Sequence, residues 1–137
     1  MEKQFLDSST NPFSWWLYAI VIVGALLMAT GGVFALVHPA MLVSPADQIT
    51  GAVRIYAGYL VSRNIALSAM LLLMLGKKAR IALSTLMVLT GFIQLLDIGL
   101  DFMEGRWALV PGVLIFAVAF FVGAAQLSGR LLWKPAA

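Results

Sequence analysis

Four long apolar runs, at about residues 15–37, 52–75, 81–100 and 108–127, alternate with short polar stretches that carry most of the charge. About 20 apolar residues in a helix span the roughly 30 Å hydrocarbon core of a bilayer, so each run is long enough to cross a membrane once. The polar joints are too short for a further folded unit. The pattern therefore predicts an all-α fold, a four-transmembrane-helix bundle of up-down topology, forming one integral membrane domain over residues 1–137.

The joints set the boundaries. The first run is longer than the roughly 7–15 apolar residues of a signal peptide, and Glu2 and Asp7 precede it beside Lys3, so a retained first span is expected. Trp15, Trp16 and Tyr18 suit the headgroup level, and Ala25, Ala29 and Gly32 form a small-residue stripe where another helix can approach closely. His38-Pro39 ends this span, because proline disfavours helical geometry in the residue before it. Ser44-Pro45-Ala46-Asp47 has the form of a capped helix start, predicting a second helix from near Pro45, with Gly51 as the alternative joint between an interfacial turn and the span proper. Gly76-Lys77-Lys78-Ala79-Arg80 is a tight basic turn that makes spans two and three a hairpin. Residues 101–107 connect to the fourth span, whose first turn tolerates Pro111.

Composition agrees with the pattern: 62% of residues are hydrophobic and 11% charged, far from the roughly 25% charged of a soluble domain. The absence of cysteine excludes disulfides, thiolate nucleophiles and cysteine metal sites, and a single histidine excludes a His-cluster metal centre. The net charge of +3 is spread over the ends of the apolar runs and forms no patch for nucleic acid. Lys3, Lys77, Lys78, Arg80, Arg130 and Lys134 fall on one side of a four-span topology. The positive-inside rule then puts both termini in the cytoplasm of a plasma or bacterial inner membrane.

Against this apolar background a few polar residues inside the spans are conspicuous. At helical spacing Tyr56, Tyr59 and Arg63 share a face of span two, Met70 extends it, Asn64 adjoins it, and Arg54 lies nearly opposite. On span three, Thr90, Gln94, Asp97 and Asp101 form one continuous stripe. Pairing the two spans about Lys78 puts Arg63 opposite residue 93, within reach of Gln94 or Asp97, and brings Arg54 near Asp101. A guanidinium near the bilayer centre costs at least about 2.5–3.5 kcal/mol on insertion scales, so it should face the bundle and a partner. The pair can serve solely to fix helix register, or it can belong to a ligand site; two tyrosines and a glutamine on the same faces favour the latter. In that site Asp97 is the candidate proton donor or acceptor, with Tyr59 and Arg63 beside it, and Tyr56, Asn64, Gln94, Asp101 and Arg54 are candidate ligand contacts. His38 suits a helix C-terminus, and Asp47, Glu104 and Arg106 are expected as solvated loop residues, with the rim of an outward-facing entrance as their alternative place. No haem, flavin or nucleotide spacing is present, and no cofactor or metal is expected.

The order of features resembles small bacterial four-helix membrane proteins of the domain-of-unknown-function, DoxX-like kind. The resemblance rests on the His38-Pro39 end of span one, Arg54 and Ser62-Arg63-Asn64 in span two, the basic turn, Asp97, and Gly105-Arg106-Trp107. It covers about residues 20–127 and implies a four-helix bundle of bacterial origin. Three functions follow as expectations. The first is binding of a lipophilic small molecule or a membrane partner at the Arg63/Asp97 site, in the outer half of the bilayer. The second is an isomerase or cyclase of an isoprenoid-like substrate, with Asp97 as general acid. The third is a small proton-coupled transporter, against which stands the lack of a carboxylate in the first span. The expected partners are membrane lipids, such a ligand, and a second copy of the chain.

Overall fold

The computed structural model describes residues 13–129, all in helices, turns or loops. The expected polar lead-in up to Pro12 and the tail with Arg130, Trp133 and Lys134 lie outside the described residues, as does Lys3. Four helices follow in order: α1 (Trp15–Val37), α2 (Gly51–Gly76), α3 (Arg80–Met103) and α4 (Val110–Ser128). A single 3-10 turn, Pro39–Leu42, lies between α1 and α2. All four helices are long and apolar enough to cross a membrane. Large apolar side chains such as Leu26, Ile55, Leu72, Leu96 and Ile115 point outward, as lipid-facing surfaces require. The chain is an integral membrane four-helix bundle.

The helix ends explain the connections. At His38 the backbone N–H still donates to Phe34 O at 2.8 Å, and Pro39 then stops α1. The start of α2 differs from the expected one near Pro45. Ser44 and Asp47 close a turn, with Asp47 N donating to Ser44 O, and the helix begins six residues later, where the Thr50 hydroxyl accepts from Val53 N. Residues 44–50 are all exposed, and an unsupported helical turn is marginal in water, so α2 starts only where it gains support from its neighbours. The α3 helix runs to Met103, beyond the expected end near Leu100, and α4 begins at Val110, with Pro111 in its first turn.

Two helix ends are closed in the same way. Ala79 N donates to Met74 O and Lys78 N to Leu75 O at the end of α2; Arg106 N donates to Asp101 O and Gly105 N to Phe102 O at the end of α3. This is the paired bonding of a Schellman cap, which needs one left-handed residue. Gly105 supplies it at φ 71, but in the basic turn it is Lys78, at φ 53, and not Gly76.

Packing divides the bundle into two close pairs, α1 with α2 and α3 with α4, joined less extensively between α2 and α3 and between α1 and α4. The small residues of α1 are covered by α2: a Cβ built on Gly32 would stand 3.1 Å from Val61 Cα and 3.2 Å from Asn64 Cβ, and the Ser68 hydroxyl donates to Ala25 O at 2.8 Å. The stripe expected at Ala25 and Gly32 is thus an intrachain contact. Between α3 and α4 the Ser84 hydroxyl donates to Ala124 O at 3.0 Å, the Phe121 ring rests on Gly91, and Phe92 meets Phe121 edge to face. The outward-facing hydroxyls of Ser62 and Thr85 are bonded to their own helix, to Gly58 O and Ile81 O, which spares lipid these two donors.

The tight core lies at the end of the bundle that carries the basic turn. Leu17, Val21, Leu71, Leu75, Leu83, Met87, Phe120, Ala124 and Leu127 fill it without polar atoms from their side chains. Arg80 closes this end by donating from Nε to Leu127 O, placing a cation at the C-terminus of α4 where the helix dipole favours one. Gln126 reaches the Ser14 hydroxyl at 3.1 Å and ties α4 to the start of α1. The opposite end is not filled in this way, and there the bundle contains a cavity.

Gly32→Val places two methyl groups against the backbone of α2, and overpacking of this kind costs about 1–3 kcal/mol. Gly31→Val is the control, since a Cβ there meets nothing within 4 Å. Thermal unfolding in a mild detergent is expected to show a clear loss for Gly32→Val and little change for Gly31→Val.

Candidate functional site

The cavity has a volume of about 650 Å³ and takes its walls from all four helices, with Met41 and Leu42 of the 3-10 turn and Arg106 at the far end. Phe120, held over Gly24, belongs both to the packed core and to the cavity lining, and so forms its floor. The walls are of two kinds. Every charged lining residue comes from α2, α3 or the turn after α3: Arg63, Asp97, Asp101 and Arg106. The α1 and α4 side is almost wholly apolar and thin, with Gly24, Gly31 and Gly112 among Phe34, Phe116 and Phe120.

Arg63 lies midway along α2 and makes a forked contact with Asp97, Nη2 to Oδ2 at 3.0 Å and Nη1 to Oδ1 at 3.4 Å. Its Nε donates to Asn64 Oδ1 at 3.4 Å, so the guanidinium is bonded on both edges. This planar fork suits a carboxylate better than the point charge of lysine would. The two side chains remain 36% and 27% exposed, which leaves the pair accessible from the cavity. Of the two partners that pairing α2 and α3 about Lys78 left open for Arg63, Gln94 and Asp97, it is Asp97 that is met.

The second pair differs from the expected one. Asp101 is 7% exposed and meets Arg106, Oδ1 to Nη2 at 3.0 Å, and Arg54 is not its partner. The cause is local. The Schellman cap bonds Arg106 N to Asp101 O at 2.8 Å and folds the residue after Gly105 back over the last turn of α3, whereas Arg54 sits on the side of α2 turned away from Arg63. Arg106, expected in a solvated loop or at an entrance rim, is therefore drawn into the cavity wall, with its side chain 27% exposed. It also donates from Nη1 to Met41 O at 3.4 Å, linking the α3–α4 turn to the segment after α1. Among the described residues its Nε is the buried side-chain polar atom without a hydrogen-bond partner.

Of the other residues singled out by sequence, Tyr56, Asn64 and Gln94 line the cavity. Among the described residues the side chains of Tyr56 and Gln94 have no hydrogen-bond partner; Tyr56, 46% exposed, stands at the cavity edge and Gln94 lies deeper along the wall. Tyr59 stands off the site, 72% exposed on the outer surface, because it lies on the flank of the Tyr56–Arg63 face that turns toward lipid. Arg54 and Met70 do not line the cavity either. Thr90, the inner end of the α3 stripe, is fully buried and donates to Leu86 O at 2.8 Å. His38 packs its ring on Phe34 at 5.0 Å. No group of three or more His, Asp or Glu that could hold a metal occurs among the described residues.

The sequence reading offered Arg106 only as a loop residue or a rim residue and missed its pairing with Asp101, and it missed the whole contribution of α1 and α4. The first carries a signal: a glycine closing a helix brings the residue after it over the residue five earlier, so Asp101 and Arg106 are predictable partners once Gly105 is taken as the cap. The second carries none, since glycines and phenylalanines in an apolar helix look the same whether they face a cavity or lipid.

Replacing one member of the Arg63–Asp97 pair leaves the other charge without its partner inside the bundle. Arg63→Leu and Asp97→Leu are each expected to lose stability, up to about 3 kcal/mol since the pair is only partly buried. The double variant should unfold near the parent. Unfolding midpoints of the four proteins in one detergent measure this; a double variant as unstable as the sum of the singles would show that the pair is not coupled.

In comparisons by sequence and by structure, no family model, no curated protein and no solved structure matches the chain. Its function is therefore argued from the geometry of the cavity.

Proposed function

We propose that this chain is a bacterial inner-membrane protein, with both termini in the cytoplasm, that holds a lipophilic small molecule in the cavity between its four helices. The observation that carries this reading is the cavity of about 650 Å³ with one polar and one apolar wall. Ligand sites of about 300–1,000 Å³ that combine an apolar lining with a few placed polar groups are the common form of small-molecule pockets. Glycines thin the apolar wall, so room is made by residue choice: a Cβ at Gly31 or Gly112 would meet nothing within 4 Å. The orientation rests on Lys77, Lys78 and Arg80, which gather at the packed end of the bundle and put the cavity in the outer half of the bilayer.

The isomerase or cyclase and the proton-coupled transporter draw on the same residues with less support. Both Asp97 oxygens accept from Arg63, an arrangement that orients and clamps instead of offering a free acid. Tyr59, which an isomerase would need beside Asp97, faces outward.

Native mass spectrometry of gently solubilised protein is expected to show a bound species of defined mass, and the same spectra give the oligomeric state. Gly112→Leu, whose Cβ would meet nothing within 4 Å, should fold normally and lose at least nine-tenths of that species. A parent without any bound mass, or a Gly112→Leu variant that retains it in full, would remove this reading.

A further inference from the structure

Resting on the ligand-holding reading, we infer that the cavity selects an uncharged, oxygen-bearing lipophile, such as an alcohol or ketone on an apolar skeleton, over an ionised lipid. The charges on its wall are already cancelled. Arg63 is held by Asp97 and Arg106 by Asp101, each at 3.0 Å, so two cations and two anions line the cavity and their sum is zero. An ionised head entering this low-dielectric space finds no free counter-charge. It would either remain uncompensated or have to break a pair and leave one of its members alone, and both are unfavourable in a poorly solvated interior.

Apart from the Arg106 Nε–H, which is buried without a partner beside its own carboxylate, the hydrogen-bonding capacity left open on the same wall is neutral. The Gln94 amide lies one turn inward of Asp97, and the Tyr56 hydroxyl lies two turns outward of Arg63 at the cavity edge; neither side chain has a partner among the described residues. With α2 and α3 paired about Lys78, Tyr56 lies opposite residue 100, so at about 1.5 Å of rise per residue it stands roughly 9 Å from Gln94 along the wall, and the two meet different parts of a guest. The wall thus offers two separate stations for oxygen atoms, one deep and one near the mouth, flanking the Arg63–Asp97 pair. The facing wall of Gly31, Phe34, Gly112 and Phe116 takes the hydrocarbon. Neutral groups that can both donate and accept reward a hydroxyl or carbonyl, and a site built to bond such an oxygen rejects an analogue lacking it.

Matched C14 probes separate head charge from chain. The parent protein in phosphatidylcholine nanodiscs is offered 1-tetradecanol, tetradecyl sulfate and tetradecylammonium, and the bound fraction is read by native mass spectrometry, in which the mass distinguishes a probe from a retained bilayer lipid. Tetradecanol is expected to bind at least tenfold more tightly than either ion. Gln94→Leu should weaken tetradecanol at least fivefold, with Tyr56→Phe as a second, nearly isosteric variant if Gln94→Leu does not fold. Asp97→Asn leaves the wall one positive charge in excess and should move the preference toward tetradecyl sulfate by at least tenfold; Asp101→Asn makes the same change of charge should Asp97→Asn fail to fold. A parent that binds either ion as tightly as the alcohol, or a ranking unmoved by both charge changes, overturns the inference while leaving a ligand site in place, provided Gly112→Leu abolishes binding. Failure of all three probes to bind the parent, or binding unaffected by Gly112→Leu, overturns the ligand-holding reading and this inference with it.

Discussion

Two guanidinium groups enclosed by a bundle whose outer surface is apolar must each find a carboxylate inside it, and this requirement shapes the cavity half of the molecule. Arg63 and Asp97 fix how α2 is set against α3, at a seam where the two helices otherwise touch little. Asp101 and Arg106 hold the turn after α3 inward, and Arg106 continues to the backbone of Met41, so the turns above α1 and α3 are joined across the mouth. At this end the cross-links between the two helix pairs are polar and narrow. They leave space between them where a packed core would leave none.

The opposite end is held by close packing. Small residues on α1 and α4 let Phe120 lie on Gly24, and let Met87 and Leu17 close on Gly123, to give the dense cluster around Leu71 and Leu83. In lipid, where apolar burial itself gives little drive for helix association, such close approach and the serine-to-carbonyl bonds of Ser68 and Ser84 are what hold helices together. The molecule is thus rigidly filled below Phe120 and open above it. That contrast gives a lipophile a floor, an apolar wall and a polar wall without any element devoted only to binding.

Within the polar wall, charge and hydrogen bonding are divided between different residues. The charges of the ionised groups are cancelled in pairs, with only the Arg106 Nε–H left over among the buried side-chain polar atoms described, whereas Tyr56 and Gln94 keep their capacity. Such a division lets the bundle retain two ion pairs for architecture while presenting a neutral surface to a guest. It also explains how a wall with four ionised side chains can belong to a cavity that takes an apolar skeleton.

The sequence by itself determined the class, the number of spans and most of their ends, because bilayer thickness sets the length of an apolar run and proline and glycine end helices through local backbone geometry. It also narrowed the partner of Arg63 to Gln94 or Asp97, since a tight turn at Lys78 sets which stretch of α3 faces it and a charge at mid-span needs a partner; the choice of Asp97 was made in three dimensions. Helical periodicity put Tyr56 and Tyr59 on one face but not which part of that face turns inward; only the packing of α2 on α1 through Gly32 and Ser68 decided that Tyr56 lines the cavity and Tyr59 meets lipid. The start of α2 at Gly51 was likewise decided in three dimensions, because the cap at Ser44 has nothing to pack against. The cavity itself was invisible in the chain. It lies between the apolar residues of α1 and α4 and the charged residues of α2 and α3, and the meeting of helices distant in sequence is a property of the tertiary structure alone.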